Sequence, residues 1–322
     1  MKKNIKKTII INAIILSLLF KGDSVSINDD YFDLYENTEE LETVKNPQKP
    51  QKYSIFKQEI GRIVQEAKKD NNIQNKVGIY IKELSTNYVY SENESLMVNV
   101  KKTKEAYFRA ASVSKLPMAF LSYKLIERGV LKTDKAYIDS VTGKTFYILP
   151  TLKRMIIYSD NDCYNIMLRL IGRNKLNNLL KEYGISNSRF YGEINPSIGF
   201  SISNNLKRHK TSKSGGRFTP KDTAVILEKI YNQRKKNNYM KLLNQHLLKT
   251  VFNSRIPAGI SKRYPVAHKT GTAEKYGVYN DVGIIYCKSP YIIVIFTKGE
   301  KKEAAEGFIK SMSKEITYYI NN

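Results

Sequence analysis

Residues 108–120 read FRAASVSKLPMAF, and the rest of the chain is parsed from this stretch. Ser112 and Lys115 stand three residues apart at the head of an apolar run with helical character. At about 3.6 residues per turn, positions i and i+3 share a face, so the hydroxyl and the amine can meet. A serine hydroxyl is a weak nucleophile near neutral pH and needs a base beside it. A lysine serves once its pKa has been pushed down. A serine at a helix start also has unpaired backbone N–H groups and the positive end of the dipole nearby, where an oxyanion would be stabilised. The spacing alone carries little weight, because Ser-x-x-Lys recurs at Ser54 and Ser311.

What singles out Ser112 is the pair of elements that follows it. Ser159-Asp160-Asn161 comes next in the chain, and Lys269-Thr270-Gly271 after that. Singly, each has a plain structural explanation: Ser, Asp and Asn all cap helices well, and Lys-Thr-Gly reads as a strand entering a turn. Together and in this order they match the motif set of penicillin-binding proteins and class A β-lactamases. From about Tyr53 to Asn322 the chain resembles a serine hydrolase of the class A β-lactamase family, within the penicillin-recognising superfamily.

The resemblance implies Ser112 as the nucleophile that forms an acyl-enzyme, with Lys115 as base partner or proton relay. It implies Ser159 as the group that passes a proton to the leaving nitrogen. Lys269 would lie close to Lys115, where like charge depresses a pKa. Asn161 would hold the amide of the substrate's side chain, while Lys269, Thr270 and Thr272 would bind its carboxylate. The N–H groups of Ser112 and Thr272 would form the oxyanion hole. Gly271 is expected where substrate lies along the strand edge and a side chain would collide. Asp160 is expected to tie its loop together, and His268 to face the other side of the strand as a packing residue.

The chain departs from the family at one place. A class A β-lactamase carries, on the loop after the second motif, a glutamate followed three and four residues later by leucine and asparagine. That glutamate activates the water that releases the acyl group. Between Gly184 and Pro220 the only carboxylate here is Glu193, in Tyr191-Gly192-Glu193-Ile194-Asn195-Pro196. Glu193 stands at roughly the matching chain position and is the candidate for positioning the water; an exposed loop acid is the other reading. The first two motifs are also closer together than in true β-lactamases. Both departures bear on release of the acyl group and leave its formation intact.

The expected function is therefore an exported serine hydrolase opening β-lactam amides through an acyl-Ser112 intermediate. A D-alanyl-D-alanine carboxypeptidase or transpeptidase acting on the peptidoglycan stem peptide is the alternative, as is a slowly deacylating β-lactam sensor. No Gly-x-Ser-x-Gly elbow is present for a conventional Ser-His-Asp esterase. No cofactor is expected, and His209, His246 and His268 lack metal-ligand spacing.

Charge and composition bound the partners. The 322 residues are 41% hydrophobic, ample for a packed core, with a formal net charge of +24. The charge is uneven, since residues 1–43 hold five lysines and eight acidic residues. So basic a body attracts polyanions. The export signal argues against nucleic acid; anionic cell-wall polymers or lipid head groups fit better, beside the plain alternative of a lysine-rich codon usage. Lys2, Lys3, Lys6 and Lys7 precede a largely apolar Thr8–Phe20, and Ser24-Val25-Ser26 offers a small-x-small cleavage site. Residues 1–26 are expected to be a signal peptide or an uncleaved anchor. Residues 27–52 read as a disordered acidic and proline-bearing linker. The protein is then secreted or tethered at the outer face of the cytoplasmic membrane, as a monomer.

Periodicity gives the architecture. A helix is expected from Ile55 to Ala67, strands at Val77–Ile81 and Tyr88–Tyr90, and the nucleophile helix over 112–128, with Pro117 as its one irregularity. Helices follow at Leu149–Ile157, Asn161–Ile171 and Lys175–Tyr183, then an irregular polar stretch over 185–219. Two more begin at Thr219-Pro220 and Met240. Strands at Val266–Thr270, Val282–Tyr286 and Ile292–Phe296 and a helix Glu303–Ile320 close the chain. This is an α/β sheet domain from both chain ends (53–103 plus 259–322) with an inserted all-α domain (104–258). The resemblance implies an antiparallel sheet flanked by the N- and C-terminal helices, with the site in the cleft. Cys163, on a helix, and Cys287, on a strand, are expected as free thiols.

Overall fold

The structure is a computed structural model that describes residues 48–93, 108–194 and 215–322. The expected signal segment and most of the expected linker lie outside these residues. Lys52–Asn322 forms one compact unit.

Helix α1 (Gln48–Asp70) leads into β1 (Gly78–Glu83) and β2 (Val89–Glu92). A 3₁₀ turn, Ala111–Ser114, opens α2 (Lys115–Glu127), and a two-residue ladder, β3 (Tyr137–Ile138) with β4 (Thr145–Phe146), follows. Then come α3 (Ile148–Ile157), α4 (Asn161–Ile171), α5 (Arg173–Glu182), β5 (Arg189–Gly192), β6 (Gly215–Arg217), α6 (Pro220–Gln233) and α7 (Asn238–Leu248). Strands β7 (Val266–Ala273), β8 (Val278–Ile285) and β9 (Tyr291–Phe296) precede the closing α8 (Lys302–Asn321).

The main sheet is five-stranded and antiparallel, ordered β2-β1-β9-β8-β7. Its centre is β9, whose sequence YIIVIF contains no charged residue and is buried throughout. A strand covered on both faces reads as a continuous apolar run rather than an alternation. Alternate side chains then go to different cores. Ile293 and Ile295 pack with Ile79, Ile81, Ile60, Val64, Phe308 and Met312, which is where α1 and α8 lie on the sheet. Ile292, Val294 and Phe296 pack on the other face with Leu116, Phe120 and the rest of the helical core. Helix α2 is buried from Lys115 to Ile126, the mark of a helix enclosed on all sides.

Several sequence expectations are corrected. Helix α1 starts at Gln48, inside the expected linker, because Pro50 falls in its first turn, where a missing N–H costs nothing. The nucleophile segment is a 3₁₀ turn followed by an α-helix. Pro117 falls in the first turn of α2, which is why it is tolerated. The stretch taken as irregular contains β5 and β6, which pair antiparallel. Cys287 follows the end of β8 instead of lying on a strand, and both cysteines are free thiols.

Candidate active site

The site assembles where α2, α4 and β7 meet. Ser112 lies in the first turn of the 3₁₀ segment, where backbone N–H groups lack intrahelical acceptors. Lys115, three residues on and fully buried, has its Nζ 2.7 Å from Ser112 Oγ. The same amine donates to Asn161 Oδ1 at 2.6 Å and lies 3.4 Å from Ser159 Oγ. Ser159 Oγ is 2.9 Å from Lys269 Nζ, which also donates to the Thr270 carbonyl at 3.0 Å. Two hydroxyls and two amines therefore form one continuous chain, Ser112–Lys115–Ser159–Lys269.

Burial controls the electrostatics. Desolvation, and then repulsion from Lys269, push the Lys115 amine well below its ordinary value. Desolvation and Arg255 lower Lys269 to about 7, with Asp281 pulling the other way. A buried lysine sheds its proton because the cation is the form that low polarity disfavours.

The backbone around these groups is strained. Ala111 has φ 49° and Ser159 φ 55°; every other non-glycine residue with positive φ among the described residues is an asparagine. A left-handed conformation at Ala or Ser costs on the order of 1–3 kcal/mol and persists only where the surroundings impose it. Asp160 provides part of that constraint at the α4 N-terminus. Its carboxylate accepts from the N–H groups of Asp162 and Cys163 at 2.9 and 3.0 Å and from Arg154 Nη2 at 2.9 Å. This is the tying role expected of it.

Strand β7 is an edge strand, and its register decides which groups face the cleft. Thr272 pairs with Tyr279, whose N–H donates to Thr297 Oγ1, away from β7. In an antiparallel ladder opposed residues either both bond each other or both point away. Thr272 N–H accordingly points to the open edge, on the same side as the Thr270 carbonyl. Gly271 faces the turn that carries Ser112: a Cβ there would lie 2.4 Å from the Ala110 carbonyl oxygen and 2.9 Å from Val113 N. The close approach of two protein segments is by itself a reason for this glycine. His268 faces the other side, with Nδ1 2.9 Å from Asp281 Oδ1 and Nε2 3.2 Å from Asn253 Oδ1.

Glu193 sits apart from this chain of groups. Its carboxylate, half exposed, pairs with Arg169 Nη1 at 2.6 Å. Arg169 also holds the buried Asp139 carboxylate through Nε at 2.7 Å and Nη2 at 3.0 Å. Next to Glu193, the Ile194 backbone is held by both ends of one amide: Asn165 Nδ2 donates to its carbonyl at 2.7 Å and Asn165 Oδ1 accepts from its N–H at 2.9 Å.

Three of these residues escaped the sequence reading. Asn165 and Arg169 follow Asn161 at four-residue steps, so all three share one face of α4, and that spacing was the available signal. Arg255 gave none. It is buried and reaches β7 from a 3₁₀ turn, donating through Nη2 to Thr272 Oγ1 at 2.7 Å and through Nη1 to the Asn280 carbonyl at 2.7 Å.

Comparison with known proteins bears on the family and the fold. The sequence model described as the beta-lactamase enzyme family matches residues 56–320. Among solved structures, PBP-A superposes with a TM-score of 0.65 at 20% identity, covering 80% of this chain and 96% of that one. A PBP-A mutant solved as an acyl-enzyme complex with penicillin G gives 0.62 at 20% identity, covering 81% and 96%. A beta-lactamase from Sphaerobacter thermophilus gives 0.64 at 19% identity, covering 81% and 96%. At these identities the superpositions establish a shared fold.

Proposed function

Since the chain belongs to the beta-lactamase enzyme family, we propose that it opens β-lactam amides through an acyl-Ser112 intermediate. The observation that carries this reading is the 2.7 Å separation of Ser112 Oγ from a buried Lys115 amine whose pKa is depressed. Neutral Lys115 takes the hydroxyl proton as Ser112 Oγ attacks the carbonyl carbon, and the N–H groups of Ser112 and Thr272 stabilise the oxyanion. The C–N bond then breaks. The proton moves from Lys115 through Ser159 to the leaving nitrogen, along the chain of contacts already described. Lys269, Thr270 and Thr272 receive the substrate carboxylate, with Arg255 holding the Thr272 hydroxyl in place. Asn161 receives the amide of the acyl side chain.

Release divides the readings. Fast hydrolysis requires a base for water, and Glu193 is the candidate on its loop. A second reading, slow release or acyl transfer as in a D-alanyl-D-alanine peptidase or a β-lactam sensor, is favoured by the engagement of Glu193 with Arg169. That contact directs one carboxylate oxygen to a guanidinium instead of to a water. The signal read at the N-terminus supports action outside the cytoplasmic membrane.

Intact-mass spectrometry with penicillin G tests both steps. The expected result is an adduct that maps to Ser112 and is absent from Ser112→Ala. Clearance within seconds supports a hydrolase, and persistence for many minutes supports the second reading. A wild-type protein that never gains the adduct sinks the proposal.

A further inference from the structure

Strands β5 and β6 lie beside Arg109, three residues ahead of the nucleophile. Their register sets Arg189 opposite Arg217, and Arg217 opposite Arg109. Directly opposed residues of antiparallel strands share a face, and neighbouring strands are about 4.8 Å apart. Three arginines therefore stand abreast across roughly 10 Å. Like charges directly opposite one another destabilise a sheet. Partial burial sharpens the conflict, and the Arg217 guanidinium is lowered from its ordinary value by burial and by Arg109.

Among the described residues nothing acidic relieves it. Among the described residues none of the three arginines makes an ion pair, and between Gly184 and Pro220 the sequence has no carboxylate except Glu193, which Arg169 holds. The neighbours are tyrosines instead. The Arg109 guanidinium carbon is 4.0 Å from the Tyr276 ring centroid, and those of Arg189 and Arg217 are each 5.9 Å from the Tyr191 centroid. A ring under a guanidinium restrains it while contributing no counter-charge that would satisfy its donor edge.

We propose that Arg109, Arg189 and Arg217 form a binding site for successive phosphates of a linear phosphate chain that carries no bases. Guanidinium forks match phosphate oxygens, and a row of three needs more than one anionic group to neutralise it. A single carboxylate would leave two cations still opposed. Single-stranded nucleic acid binds through rings open for base stacking, and here both rings are already engaged by guanidinium groups.

Isothermal titration calorimetry on the whole chain, at low salt, tests this with tripolyphosphate and with poly(glycerol phosphate). The first probes free oligophosphate and the second a polymer. Saturable binding to at least one is expected, weakened at least tenfold in the Arg109→Gln/Arg217→Gln double variant and unchanged in Lys310→Gln, an exposed position on α8. In phosphate-free buffer Arg217→Gln should unfold at no lower a temperature than wild type, and tripolyphosphate should raise the midpoint of wild type but not of the double variant. If the double variant fails to fold, Arg189→Gln, at an exposed position, carries the same comparison. Absence of saturable binding, an equal loss in Lys310→Gln, or tighter binding of a single-stranded oligonucleotide through the same arginines overturns the proposal. Binding should persist in Ser112→Ala, so this site stands or falls apart from the acyl-enzyme.

Discussion

In the proposed reaction, Lys115 and Lys269 set opposite limbs of the pH dependence of acylation. Lys115 acts as a neutral amine, and that form is lost as pH falls through its depressed pKa. Lys269 attracts an anionic substrate as a cation, lost as pH rises through about 7. The single-turnover acylation rate should therefore fall on the alkaline side near that value, and a profile flat to well above it would contradict the assignment. Lys115→Ala should slow adduct formation by about 10²–10⁴, the range for removing a general base. Gly271→Ala belongs to packing rather than charge. Its new Cβ meets backbone atoms, which cannot swing aside, so urea denaturation should register a loss of about 1–3 kcal/mol. At this scale the sequence was legible where chemistry is local, as with Ser112 and Lys115 on one turn. Arg255 was not, because a single arginine in a basic chain has no pattern until folding brings it under Thr272.

Helix α4 acts as one rigid fixture. Asn161 holds Lys115, Asn165 holds the Ile194 backbone, and Arg169 holds Glu193 and Asp139. Asn165→Ala should cost about 1–3 kcal/mol in chemical denaturation, since it leaves a backbone N–H and a carbonyl without their partner. It should change the rate of acyl release more than the rate of acylation, which separate single-turnover and steady-state measurements resolve. Glu193→Gln tests the loop more directly: a longer-lived adduct is expected if the carboxylate drives release, and unchanged turnover removes it from the mechanism. The helix was plain from its periodicity and matched residue for residue. β5 and β6 were missed because Gly215 and Gly216 carry no strand signature and the pairing depends on tertiary contact.

The molecule as a whole rests on two cores separated by the sheet. Ile60, fully buried in the one beneath α1 and α8, should cost about 2–5 kcal/mol when cut to alanine, read from urea unfolding. The plan of sheet from both ends and helices between was visible in the sequence, because an apolar run such as β9 and an all-buried helix such as α2 announce themselves. The order of strands was not, since nothing local says which strands are neighbours. That order has a consequence for synthesis. The strand that knits the sheet together, β9, is the last one made, and both β1 and β8 must wait for it. A chain stopped before Tyr291 leaves the β1–β2 hairpin without its inner neighbour and parted from β8–β7, so it should remain more protease-sensitive than the whole chain. Until β9 is made, the two halves of the sheet, β2-β1 and β8-β7, have nothing to join them, so the sheet closes late.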